Sequence, residues 1–206
     1  MPTYEDNIST VKDNKAPTKA KEKHMPGDEM IWLFLLGDMA CFSLFFCMFA
    51  YYRLDEIELF RQSQAQLDVN IGSINTLLLL CSSWLVVMAL KAARKGLAKY
   101  ASFSMAGAAL FGTGFVILKT LEYQHKASLD IDYLSNNFYV FYYILTGMHY
   151  FHVVIGVPLL IYYAISLYRS KNISQTDVDN LESGALYWHM VDLLWIIIFP
   201  LVYLIP

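Results

Sequence analysis

Charge is scarce: 16% of the 206 residues are charged, against roughly 25% in an ordinary soluble domain. With 57% of the chain hydrophobic and a mean hydropathy of +0.41, a soluble globular fold is excluded and an integral membrane protein remains. Cysteine is nearly as rare. Cys41, Cys47 and Cys81 form no C-x-x-C spacing, so neither a disulfide framework nor a zinc site is signalled. Lying within apolar segments, the thiols read as small, buried apolar side chains. A basic excess is also missing. The net charge of -3 and pI near 5.9 leave no large basic surface, which argues against nucleic acid as a partner. Residues 1–25 contain no apolar run that could serve as a signal-peptide core. No internal repeat is visible, so the inverted-repeat layout of many transporters finds no support.

What the chain does have is five apolar runs, at 31–52, 71–90, 103–121, 138–168 and 184–205. Each is long enough to cross roughly 30 Å of hydrocarbon. The fold class expected is therefore all-α: a polytopic membrane protein whose five transmembrane helices form one domain over 26–206, behind a flexible, lysine-rich tail at 1–25. Pro26-Gly27-Asp28 marks the end of that tail. The fourth run is longer than a crossing needs and should tilt or project, and Pro158 favours a bend within it. In the third run, Ser104, Ala108 and Gly112 form a small-residue ridge that lets helices approach closely.

Lysine and arginine concentrate in the tail and in the 91–100 and 169–183 loops, whereas the other side holds Arg53, Arg61, Lys119 and Lys126. The positive-inside rule then puts the N-terminus in the cytoplasm and the C-terminus on the far side. Tyr and Trp near the span ends, among them Trp32, Tyr51, Tyr100, Tyr123, Tyr168, Tyr187 and Tyr203, fit interfacial belts.

Polar groups inside the apolar runs are the candidate functional residues, because ionisable groups at depth are costly and mark function or protein contact. Thr146, His149, His152 and Gly156 share one helical stripe that should face protein. Asp38 lies roughly 12 Å into the first span at 1.5 Å per residue, too deep for a short carboxylate to reach water. Two roles stand for it, a hydrogen-bonded tie between helices or a site of proton exchange. His189 and Asp192 share one face of the fifth span at a depth similar to that of Asp38, which suggests one polar layer. Spaced three apart, His149 and His152 could bind a metal with His189 as third ligand, or bond across helices without one. Glu122 ends the third run and Glu182 precedes the fifth, where both read as solvated end charges.

Taken in order, Gly37-Asp38 with Phe42 to Phe46, Ile74-Asn75-Thr76, Leu121-Glu122-Tyr123, the T-G-x-H-x-x-H-V element from Thr146 to Val153, and Glu182 followed by YWHMVDLLW resemble subunit III of the haem-copper oxidase superfamily. The resemblance runs from about Pro26 to Pro206. Larger members have seven helices. This chain lacks the first two and is similar to the short subunits of quinol oxidases, and in the runs from Phe60 to Trp84 and from Tyr187 to Leu204 it resembles still more closely the subunit-III-like proteins associated with nitric oxide reductases. Aspartate stands at position 38 where many members have glutamate.

The resemblance implies a non-catalytic accessory subunit in the bacterial inner membrane, with its C-terminus in the periplasm. It implies a subunit I-like catalytic partner, no redox cofactor of its own, structural phospholipid as a bound component, and a part in proton uptake. Asp38, Glu122, Thr146, His149, His152, Glu182, His189 and Asp192 would then be buried polar or assembly residues, and the Thr146 to Gly156 stripe an assembly surface. Two other readings remain. One is a haem b or quinone-bearing membrane anchor using His149, His152 and His189; the other is a small proton or solute carrier using Asp38 and Glu122.

Overall fold

Three helices of this chain start where a short polar side chain takes up free backbone amides. Asp68 accepts from the amides of Asn70 and Ile71, Asn136 from that of Tyr139, and Ser174 closes a reciprocal capping box with Asp177. Gly96, at φ 74°, supplies the left-handed turn that ends one helix and frees the next. The computed structural model describes residues 29–129, 134–170 and 173–205. The tail at 1–25 and the Pro26-Gly27-Asp28 breaker lie outside the described residues.

The elements are α1 (Glu29–Asp55), α2 (Ile57–Gln64), α3 (Val69–Arg94), α4 (Ala98–Ser128), α5 (Asn137–Arg169) and α6 (Gln175–Phe199), which runs on into a π-helical turn at Pro200–Leu204. Among the described residues there is no strand, and five helices are long and apolar enough to cross a membrane. The all-α, polytopic architecture expected from the hydropathy is the one observed. The helix α2 is additional. It is too short to cross, and it tucks Phe60 under the aromatic cluster of Phe49 and Phe138.

Two helices outrun their apolar stretches. Helix α4 continues to Ser128 rather than stopping near 121, and α6 begins at Gln175 rather than 184. Hydropathy falls at the first charged residues, yet the backbone stays helical because those charges are paired or capped. Glu182 consequently lies inside α6, not ahead of it. Helix α5 runs unbroken through Pro158.

Helices α3, α4, α5 and α6 form a ring in which each packs on the next and α6 closes on α3, while α1 lies outside against α5 and α6. In a bilayer, burying apolar surface between helices gains little over lipid, so close packing and interhelical hydrogen bonds must hold the ring. Ser82 donates to the Ala108 carbonyl at 2.8 Å, Ser102 to that of Ala164 at 2.7 Å, and the Trp195 indole to Thr76 at 3.0 Å. The small-residue ridge of α4 serves packing: a Cβ at Gly112 would come within 2.8 Å of the Trp188 ring, and one at Gly156 within 2.6 Å. The two glycines thus hold the indole between α4 and α5.

Among its described residues, helix α1 buries Leu35, Phe42 and Phe49, seven residues apart, and turns its other faces outward. The three cysteines are free and exposed, not buried as their apolar surroundings suggested, because they fall on the outward faces of α1 and α3. Of the belt aromatics, Tyr51, Tyr100 and Tyr168 are exposed as expected, but Tyr203 is buried in the ring.

Candidate functional site

The largest polar cluster is one that the sequence made look peripheral. Lys119 and Glu122 are one turn apart on α4, and their side chains are 0% and 5% exposed. The Lys119 ammonium has three donors and three acceptors in reach: Glu122 Oε2 at 3.0 Å, Tyr142 Oη at 3.1 Å and Tyr203 Oη at 2.7 Å. Each tyrosine hydroxyl then donates to Glu122 Oε1 at 2.7 Å. The network is closed. The ammonium also lies over the rings of Tyr123, Tyr142, Trp195 and Tyr203, 4.9–5.4 Å from their centroids, distances at which a cation is attracted to an aromatic face. Lys126, also buried, sits over Tyr139 and Tyr142.

Glu122, Lys119 and Lys126 are therefore not solvated end charges. Their helix continues past them, and α5 and the π turn enclose them. Thr146 supports the cluster by receiving the Tyr123 hydroxyl at 2.8 Å and donating to the Tyr142 carbonyl at 2.6 Å.

The expected stripe on α5 faces into its own ring: Thr146 and His149 are 0% exposed and Gly156 is buried. His149 packs between Phe115 and Trp195, with neither ring nitrogen hydrogen-bonded. His152 turns the other way, toward α1. Its Nδ1 lies 2.7 Å from the Met148 carbonyl and so carries hydrogen, while its Nε2 lies 3.3 Å from Asp38 Oδ1. A ring nitrogen and a carboxylate oxygen at that distance share one proton, held either by the imidazolium or by the carboxylic acid.

Asp38 thus ties α1 to α5. The single polar layer expected for Asp38, His189 and Asp192 is instead two separate groups, because His189 and Asp192 turn toward Ser83 of α3. Glu182 accepts two bonds from the Arg94 guanidinium, at 2.8 and 3.2 Å, across the α3/α6 ends. The three histidines go to three different sets of neighbours. Among the described residues no three His, Cys, Asp or Glu side chains converge where an ion could sit.

An apolar cleft of about 490 Å³ opens between α1, α5 and α6, lined by Ile31, Ile155, Pro158, Leu159, Tyr163, Ser183, Gly184 and Tyr187. Sequence reasoning missed this cleft, and it missed Lys119, Tyr142 and Tyr203 as site residues. The spacing of Lys119 and Glu122 was the one available signal for the cluster, since a lysine and a glutamate one turn apart can pair on a helix.

Comparison with known proteins places the whole membrane bundle in one context. The family model described as cytochrome c oxidase subunit III matches residues 28–205. A cytochrome c oxidase subunit 3 of Synechocystis sp. is 31% identical over 84% of this chain and 73% of its own length. A quinol oxidase subunit 3 of Bacillus spizizenii is 31% identical over 84% of both chains. A heme-copper oxidase subunit I+III of Aeropyrum pernix is 22% identical over 97% of this chain, which spans only 25% of that longer protein.

Proposed function

The chain belongs to the cytochrome c oxidase subunit III family, and from that membership we propose that it is a non-catalytic accessory subunit that packs beside a subunit I-like catalytic protein in a haem-copper respiratory complex. The observation that carries this reading is the extent of the match, which covers every described helix and not one motif alone. The closed Lys119–Glu122–Tyr142–Tyr203 network supports it too, since it spends the chain's most costly buried charges on holding α4, α5 and the end of α6 together. Nitric oxide reductase is the complex proposed, on the sequence resemblance of the 60–84 and 187–204 segments to its subunit-III-like partners.

Two finer roles belong to the same proposal. The apolar cleft between α1, α5 and α6 has the chemistry to hold a phospholipid acyl chain, and the shared proton of Asp38 and His152 offers a group that could pass protons near an uptake entrance. For orientation we propose a cytoplasmic N-terminus and a periplasmic C-terminus in a bacterial inner membrane. Removing the enclosed Lys119 and Lys126 from the far side leaves the charge asymmetry steeper.

Affinity purification of the tagged chain from its native membrane tests the reading. A haem-bearing larger subunit should co-purify, and the chain freed of that subunit should have no Soret absorption. A stoichiometric Soret band on the isolated chain would overturn the accessory role in favour of the anchor using His149, His152 and His189.

A further inference from the structure

Ser83 and His189 meet at the middle of the α3 and α6 spans, with Ser83 Oγ 2.7 Å from His189 Nδ1. Asp192, one turn further along α6, also lies close to Ser83. At 1.5 Å per residue, Ser83 is about 16 Å from the Arg94 end of its span, close to the bilayer midplane.

This trio is not closed. Among the described residues, Asp192 Oδ1 is buried without a partner, whereas His189 is half-buried and its Nε2 has no hydrogen-bond partner. Trp84 and Leu193, at 64% and 45% exposure, stand on the same two helices within one turn of it. The other ionisable pairs in the spans differ in this respect: Lys119 with Glu122 and Asp38 with His152 turn toward each other. Hydrocarbon offers no hydrogen bond, so a polar nitrogen at this depth belongs against protein.

We propose that the α3/α6 face around Ser83, His189 and Asp192 seats a transmembrane helix of the larger subunit, one that carries a hydroxyl or carboxamide side chain at mid-membrane. The chemistry follows from the single Ser83 proton. When Ser83 Oγ accepts from Nδ1–H, Nε2 presents a lone pair. When Ser83 donates to Nδ1, Nε2 carries the hydrogen and presents a donor. A hydroxyl or carboxamide fits either state. An aliphatic side chain fits neither, and a charged one would add its own desolvation cost.

This inference rests on the accessory-subunit reading and names the face by which such a subunit docks. The test uses the full tagged chain in its native membrane, with p-benzoylphenylalanine placed at Trp84 or, as the contrasting position, at Leu44 on the outward side of α1. Irradiation should cross-link the larger subunit from position 84 and not from position 44. In parallel, His189→Phe should lower recovery of the larger subunit roughly three- to tenfold, the effect of losing one hydrogen bond between membrane helices. His189→Gln should restore part of it, and the melting temperature of the isolated variants separates docking from folding. Cross-linking from position 44 alone, or a recovered complex with no cross-link from either position, would overturn the docking face and leave the accessory role standing. Failure of the wild-type chain to recover any larger subunit would overturn both.

Discussion

Lys119 commits all three of its donors, and each of its partners is committed in return, so the cost of breaking the set is set by what stays behind. Lys119→Met leaves Glu122 as a buried charge with no counterion and should destabilise the chain by about 3–5 kcal/mol, the usual cost of removing one partner of a buried ion pair. The double variant Lys119→Met with Glu122→Gln removes both charges and should recover most of that loss. Thermal unfolding of the purified chain in detergent measures both, and equal losses in the single and double variants would contradict a coupled pair. His149 is the opposite case. Its ring nitrogens are buried and unbonded, so His149→Phe trades two unsatisfied polar atoms for an apolar ring and should be neutral or stabilising. A loss of more than about 2 kcal/mol in the same assay would show that His149 has a hydrogen-bonding role. Asp38 and the histidines were legible in the sequence as costly groups, since depth alone identifies them. Their partners were not, because pairing is decided by how helices rotate against one another. Glu122 looked like a solvated end charge from its position alone, and only the family resemblance made it a buried one: a charge at the end of an apolar run is solvated or enclosed according to whether a neighbouring helix covers it.

The long helices were readable from hydropathy, whereas α2 was not, since a short amphipathic helix between two spans carries no apolar run of membrane length. One tight contact between elements is the Trp188 indole held by Gly112 of α4 and Gly156 of α5. A methyl group added on either side meets the ring at less than 3 Å, and the ring cannot retreat because the other glycine backs it. Gly156→Ala should therefore cost about 1–3 kcal/mol through overpacking, and Gly112→Ala a similar amount. Combining Gly156→Ala with Trp188→Phe should relieve part of the loss. Unfolding temperatures of the single and combined variants check this, and an unshifted Gly156→Ala would mean that the helices separate at no cost. The ridge of small residues on α4 was visible in the sequence, but the indole that fills it was not.

For the molecule as a whole, the five-span architecture and the family were legible because both rest on long, ordered stretches of residues. The closed ring of α3 to α6 and the peripheral place of α1 were not, since apolar outward faces and apolar packed faces look alike in a sequence written for a lipid solvent. The ring is fastened at its end by Tyr203, which the π turn carries inward to the network.

That turn has a consequence in time. Tyr203 lies 84 residues after Lys119, so a chain emerging from the ribosome must place α4 in the bilayer long before its last partner has been made. Lysine and acidic side chains at depth each cost about 2.5–3.5 kcal/mol to insert. Until Tyr203 has been made, α4 is held only by its neighbours' provisional contacts and remains recognisable to membrane proteases as unfinished. Chains cut after Phe199 should accordingly be degraded several-fold faster than full-length chains in a pulse-chase experiment. Lys119→Met with Glu122→Gln in the same truncated chain should lengthen its lifetime again. Equal lifetimes for the truncated and full-length chains would show that the fastening is not what marks this protein as complete.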